Sequence, residues 1–206
     1  MKLLIAIPTM ENVPVEFMKS LLALCQRLTA DGVCYDVAIE SGTLVYMARD
    51  RLASKAVNEK YTHTLWLDSD MVFSDSIFED LQFSGKKFVT GIAHGRRKPF
   101  LSCLFKSLDL NTLERWKLED YPSDTFKVAG CGMACVLIAT EIMEQVFLKC
   151  NTCFMPMLSY GEDLSFCKRA VSCGYDIYAE PTVRLGHISH FPIWPDDCER
   201  YRDEIH

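Results

Sequence analysis

Between Thr64 and Phe73 the chain runs Thr64-Leu65-Trp66-Leu67-Asp68-Ser69-Asp70-Met71-Val72-Phe73. An apolar run stops at two carboxylates spaced i, i+2, and apolar residues resume straight after. A run that short, with aromatic Trp66 and a charged stop, predicts a buried strand of a parallel sheet. Ligand sites in open α/β sheets lie just beyond the carboxyl ends of the strands, where Asp68 and Asp70 fall. Two carboxylates so close repel unless a cation holds them, and oxygen ligands suit hard divalent ions such as Mg²⁺ or Mn²⁺. Asp and Ser also favour ordinary turns, so this stretch by itself leaves a metal site and an Asp-rich turn both open.

The flanking pattern supplies the rest of such a sheet. Leu3 to Ile7 reads as a first strand ended by Pro8-Thr9. Pro14 opens a helix whose apolar positions Phe17, Leu21, Leu24 and Leu28 recur at helical spacing until Asp31-Gly32. Val33 to Ile39 is a second strand, and Leu44 to Ala56 a second helix before the strand that ends at Asp68. This strand–helix alternation predicts a doubly wound α/β sheet with right-handed crossovers. A short helix near 75–82 and a strand over 87–91 follow. Leu101, Cys103 and Phe105 alternate as an edge strand or hairpin does.

Later, 126–129 and 134–139 read as strands around a Gly130-Cys131-Gly132 turn, and Thr140 as the cap of a helix through Leu148. Residues 161–173 form an amphipathic helix stopped by Gly174. The stretches 175–179 and 183–185 are short late strands. No repeat or linker interrupts this order. The expected organisation is one compact domain over 1–190 and an irregular tail over 191–206.

At 206 residues with 49% hydrophobic and 24% charged residues, the chain has the composition of an ordered globular domain. A net charge of −6 argues against nucleic-acid or anionic-membrane binding by the whole surface. Gly95-Arg96-Arg97-Lys98 is the densest basic cluster and reads first as a solvated loop. Met1 to Ile7 is too short for a membrane span and has no small-residue cleavage site, so the reading places the protein in the cytoplasm. Ten cysteines, including Cys150/Cys153 and Cys131/Cys135, read as reduced, mostly buried thiols rather than a zinc site.

Two further stretches carry chemistry. In Gly161-Glu162-Asp163-Leu164-Ser165-Phe166-Cys167 the acids suit a helix start, and the preceding glycine suits a carboxylate aimed into a close-packed cleft. In Val183-Arg184-Leu185-Gly186-His187 a short strand ends in Gly-His, followed closely by His190.

Taken in order, Leu67-Asp68-Ser69-Asp70-Met71, Gly161 to Cys167 and Gly186-His187 resemble the nucleotide-sugar-dependent glycosyltransferases of the GT-A fold, in the family-2-like group. Ile7-Pro8-Thr9, Ala48-Arg49-Asp50 and Gly130 to Ile138 add to the resemblance, which spans about residues 3–190. It implies a GT-A-type, Rossmann-like α/β domain with a mostly parallel sheet flanked by helices. It also implies a metal-dependent transfer of sugar from a UDP- or GDP-sugar to a hydroxyl acceptor.

By that resemblance Asp68 and Asp70 form a DxD metal motif. Asp70 is the direct ligand, and Asp68 lies nearer the ribose or reaches the metal through water. His187 matches the third ligand, with His190 the alternative, and the mixed donor set favours Mn²⁺ over Mg²⁺. Pro8, Thr9 and Glu40 match the nucleotide-binding strand ends. Arg49, with Arg96 or Arg97, adds positive charge near the diphosphate. Asp163 matches the acidic residue beside the acceptor, a general base in an inverting enzyme, with Glu162 as its orienting neighbour. The chain is shorter than many such enzymes, which leaves room for a short acceptor, a partner subunit, or a lid formed by the tail around Phe191-Pro192-Ile193-Trp194.

Two other classes stay open on the sequence. A sugar-phosphate nucleotidyltransferase tends to carry a glycine-rich phosphate loop after its first strand, and Pro8-Thr9-Met10-Glu11-Asn12 has no glycine. A non-catalytic sugar- or protein-binding module on the same fold is set against the joint presence of Asp68, Asp70, Asp163 and His187.

Overall fold

A computed structural model describes residues 1–10, 12–96, 99–157 and 159–189. Arg97, His190 and the segment 191–206, including Phe191 and Trp194, lie outside the described residues.

The first half alternates strands and helices: β1 (Lys2–Pro8), α1 (Val15–Ala30), β2 (Cys34–Glu40), α2 (Val45–Asn58), β3 (His63–Leu67), β4 (Met71–Val72), α3 (Ile77–Phe83) and β5 (Phe88–Ile92). Short strands follow, β6 (Leu104–Ser107), β7 (Glu114–Arg115), β8 (Phe126–Val128) and β9 (Gly130–Cys131), and then β10 (Cys135–Ala139). The chain continues through α4 (Thr140–Cys150), α5 (Glu162–Ser172), β11 (Ile177–Arg184) and β12 (Gly186–His187).

Seven strands make the central sheet in the order β2-β1-β3-β10-β5-β11-β8. β2, β1, β3, β5 and β11 run one way, and β10 and β8 run against them. The sheet is therefore mostly parallel, and β3 itself lies between parallel β1 and antiparallel β10.

Alternate side chains of these strands face opposite sides, and both sides are apolar. Leu3, Ile5, Ile7, Leu65 and Leu67 pack with Phe17, Leu21 and Leu24 of α1 and Phe78 of α3. Leu4, Ala6, Trp66 and Ile138 pack with Leu52 of α2, Ile142 of α4 and Phe166 of α5. The continuous apolar runs read from the sequence are continuous because helices cover both faces.

Three local expectations are corrected. Helix α4 begins at Thr140 with Ala139 at the N-cap and no side-chain cap, because Ala139 still pairs with His63 as the last residue of β10. Gly130-Cys131 is not a turn; it is β9, paired antiparallel with β6 in a small second sheet that also holds β7. The two late strands are one, β11, whose register against β5 shifts between Ala179 and Arg184. Gly91 of β5 allows that shift: a Cβ there would meet Val183 Cγ1 at 2.7 Å and its carbonyl oxygen at 3.0 Å. The shift sends the chain across to β12, which pairs with β4 and brings His187 opposite Met71.

Candidate active site

Beyond Leu67 the chain turns so that Asp68 N–H donates to the Ala134 carbonyl (3.1 Å) and Met71 N–H to that of Asp68 (3.3 Å). Asp68 and Asp70 leave this turn in different directions.

Asp68 turns inward. Its Oδ1 accepts from Arg49 Nη2 at 2.7 Å, and Arg49 Nε lies 3.5 Å from Glu162 Oε1. Arg49 is only 3% exposed, and its Nε and Nη1 are buried without a hydrogen-bond partner. The guanidinium therefore lies beneath the carboxylates, not in the open cleft. Burial raises the Asp68 carboxyl above its ordinary range against the pull of Arg49, and the charges of Asp70 and Glu162 add to the rise.

Glu162 and Asp163 sit in the first turn of α5, where the positive end of the helix favours acids. Asp163 Oδ1 accepts from Leu164 N–H at 2.7 Å. A Cβ on Gly161 would stand 3.0 Å from that same oxygen, so the glycine leaves room for the carboxylate to fold back. Burial first, and then the neighbouring Glu162 charge, push Asp163 up to about 6. A carboxylate held there is poised to take up or release a proton near neutral pH.

Asp70 faces His187 and Arg96 instead. Its Oδ2 lies 3.3 Å from His187 Nε2 and 2.8 Å from Arg96 Nη1. The His187 backbone is held by the β4–β12 pair, and Ile188 N–H donates to the Asp70 carbonyl at 2.8 Å. His187 Nδ1 lies 2.8 Å from the His94 carbonyl oxygen, which only accepts, so Nδ1 carries the proton. In the neutral ring Nε2 then points a lone pair at a carboxylate oxygen. Two acceptors face each other there, and either a second proton or a cation must lie between them. The Asp70 hydrogen bond accordingly raises the His187 pKa. Burial works to raise Asp70, but His187 and Arg96 outweigh it and hold that carboxyl low.

This carboxylate–imidazole pair fits a divalent ion by donor chemistry. Among the described residues, however, no group of three or more His, Cys, Asp and Glu side chains stands ready to hold one. Asp68 is turned to Arg49 instead.

Pro8, Thr9 and Glu40 lie together at the ends of β1 and β2: Pro8 pairs with Glu40, and Thr9 N–H donates to the Glu40 carbonyl at 2.9 Å. Ser69 Oγ donates to Thr9 Oγ1 at 3.1 Å, linking this corner to the acidic turn. The Glu40 carboxylate is taken by Arg51 at 2.7 Å.

A cleft of roughly 630 Å³ joins Asp163, Leu164, Gly132, His187 and Arg96 with Cys103 and Arg115. A larger groove of roughly 800 Å³, lined by Leu108, Lys127 and Tyr160, holds none of the residues singled out from the sequence. Arg96, read as part of a solvated loop, reaches Asp70. His94 and Arg115 went unmarked because their roles rest on a backbone carbonyl and on a short strand pairing. Only the position of His94 two residues past the end of β5 hinted at the first. Trp116 packs on Phe126, ring centroids 4.8 Å apart, rather than lining this cleft. The nine described cysteines are free thiols. No helix among the described residues is long and apolar enough to cross a membrane.

No protein-family model matches the sequence, and no curated protein matches it. Solved structures do. A197 from STIV superposes with a TM-score of 0.64 at 20% identity, covering 92% of this chain and 87% of that one. The catalytic domain of Drosophila beta1,4-galactosyltransferase 7, in complex with xylobiose, gives 0.58 at 13% identity over 100% of this chain and 82% of that one. A mutant of the same Drosophila enzyme, in complex with manganese, UDP-Gal and xylobiose, gives 0.51 at 13% identity over 98% and 79%. The chain thus has the GT-A fold seen in glycosyltransferase catalytic domains.

Proposed function

We propose that the protein is a metal-dependent glycosyltransferase that moves a sugar from a UDP- or GDP-sugar to a hydroxyl acceptor. The observation that carries this reading is the meeting of His187 and Asp163 in one cleft, with Asp70 of a third part of the chain 3.3 Å from His187 Nε2. Support also comes from the manganese and UDP-Gal bound by the Drosophila enzyme of the same fold.

In this reading Pro8, Thr9 and Glu40 hold the nucleotide and Asp68 stands toward its ribose. Asp70 and His187 would hold Mn²⁺ or Mg²⁺, with Asp68 reaching it through water as the alternative to that ribose contact. The ion, when bound, supplies positive charge that stabilises the leaving nucleoside diphosphate. Arg49 keeps Asp68 and Glu162 in place from below, and Arg96 adds charge at the rim. Asp163 takes the proton of the acceptor hydroxyl as it attacks the anomeric carbon, and Glu162 orients it.

A screen of UDP- and GDP-sugars with and without Mn²⁺ tests the reading. Slow metal-dependent release of UDP or GDP, lost in both Asp70→Ala and His187→Ala, is the expected result. Pyrophosphate release from a nucleoside triphosphate and a sugar phosphate overturns it in favour of nucleotidyl transfer. Silence with every donor, and no thermal shift with nucleotide and metal, overturns it in favour of a binding module.

A further inference from the structure

Among the described residues the cleft presents three side chains that carry or can take up positive charge, and two of them are already spent. Arg96 and His187 both bond to Asp70. Arg115 is paired with no carboxylate among the described residues. Its contacts are of another kind: Nη1 donates to the Ser102 carbonyl at 2.5 Å, and the guanidinium lies 4.2 Å above the Phe105 ring. Phe105 belongs to the same small sheet as Arg115 and stands opposite it in the β6–β7 pair, and Ser102 lies two residues before β6.

Such contacts fix the plane of a guanidinium without neutralising it. The bond to Ser102 uses one N–H, leaving the rest of a rigid fork whose shape matches carboxylate and phosphate oxygens. Holding the fork in advance lowers the ordering cost of binding an anion. The surroundings strengthen the argument, because Leu101, Phe105 and Leu164 also line the cleft. A cation beside apolar walls gains more from a counter-ion than one in open water. Cys103 also lines the cleft, and its thiol feels both Arg115 and Asp163.

We infer that Arg115 is an oxyanion-binding residue on the wall of the cleft, and that the sugar accepted beside Asp163 carries a carboxylate or a phosphate. The word acceptor rests on the transferase reading; the oxyanion site does not. A uronate presents a planar pair of oxygens to the fork, and a sugar phosphate presents a tetrahedral set. Both meet the same chemistry.

The test is calorimetric titration of the full chain with glucuronate, glucose 6-phosphate and glucose, alone and in the presence of UDP and Mn²⁺. Glucuronate or glucose 6-phosphate binds at least tenfold more tightly than glucose, Arg115→Gln removes that preference, and Arg115→Lys keeps part of it. The stronger of the two charged sugars identifies the group. Binding persists with UDP and Mn²⁺ present. Equal affinity for glucose, no binding of any of the three, or a folded Arg115→Gln chain with its preference intact overturns the inference. Displacement of the charged sugar by UDP alone also overturns it, because the charge then serves the donor phosphates. Should Arg115→Gln not fold, the sugar series on the unaltered chain and Arg115→Lys still decide. UDP binding with Mn²⁺ and no sugar is read in the same titrations. Its failure strikes the transferase reading, whereas loss of the charged-sugar preference strikes the subsite.

Discussion

The floor and the rim of the cleft use similar charges in opposite ways. On the floor, Arg49, 3% exposed, faces Asp68, Glu162 and Asp163 from below. On the rim, Asp70 faces Arg96 and His187, and the Arg96 side chain is 56% exposed. Asp68 and Asp70 are two residues apart, yet one is fixed by a buried arginine and the other by an exposed arginine and a partly buried histidine. A buried pair holds geometry because separating it strands a charge away from water. An exposed pair exchanges partners at little cost. The contrast assigns the floor to holding acids in place and the rim to meeting ligands.

The largest effect expected from this contrast is on the floor. Arg49→Met leaves Asp68 and Glu162 without their cation, and losing one partner of a buried pair costs about 3–5 kcal/mol. Urea unfolding at pH 7.5 measures it. A loss below about 1 kcal/mol would break the distinction, since the pair would then behave as an exposed one.

The next effect follows from Asp163. Its carboxyl is held at about 6, above its unfolded value, so the folded chain binds the proton more tightly than the unfolded chain does. Stability attached to this group is therefore greatest at acid pH and falls as pH rises through about 6. Asp163→Asn removes the charged form and should stabilise the chain by roughly 2–3 kcal/mol at pH 8, with the gain vanishing below about pH 4. If Asp163 is the base, transfer rises with pH through the same region and the Asn variant loses about a hundredfold or more. A pH-independent difference in stability between the two chains would remove the floor's claim to hold a strained acid.

The floor and rim were unequally legible in the sequence. Strand β3 and its acidic stop stood out because Leu65, Trp66 and Leu67 are fully buried and the charge begins where burial ends. The start of α5 was legible from Gly161, Glu162 and Asp163, a local pattern with a local cause. The partnership of Arg49 with Asp68 was not, because helix α2 and the end of β3 meet only through the sheet order. His187 was visible as a residue, but its ring is oriented by the His94 carbonyl, and backbone carbonyls carry no letter. The wall bearing Arg115 was least legible. Its strands β7 and β9 are two residues each, too short for period-two alternation to register.

A smaller effect separates the two carboxylates directly. Asp70→Asn and His187→Ala should each weaken Mn²⁺-dependent UDP binding by at least the roughly tenfold that losing an outer-shell partner of a metal costs. Asp68→Asn should weaken it less, because its Oδ1 is committed to Arg49, and should leave stability at neutral pH unchanged or slightly higher, because burial already disfavours the charged form of Asp68. Calorimetric titration with UDP, with and without Mn²⁺, reads the first quantity and thermal unfolding the second. The reverse ranking would exchange the roles given to Asp68 and Asp70.

The smallest effect belongs to Arg96. Its bond to Asp70 is short at 2.8 Å but exposed, so Arg96→Ala should change stability by less than about 1 kcal/mol, and by less still in high salt. Its sign on metal binding is the informative part. Arg96 helps hold the Asp70 carboxyl low and occupies Oδ2, the oxygen that also faces His187. Removing a competing cation from a ligand oxygen favours another cation there, so Mn²⁺ alone should bind Arg96→Ala a few-fold more tightly. Once a diphosphate is present the same substitution removes a positive charge from its neighbourhood, and UDP with Mn²⁺ should gain less or lose. Titration of Mn²⁺ followed by electron paramagnetic resonance, with and without UDP, separates these two signs. Weaker Mn²⁺ binding in the absence of nucleotide would show that Arg96 orients Asp70 instead of competing for it, and the rim would then share the floor's construction.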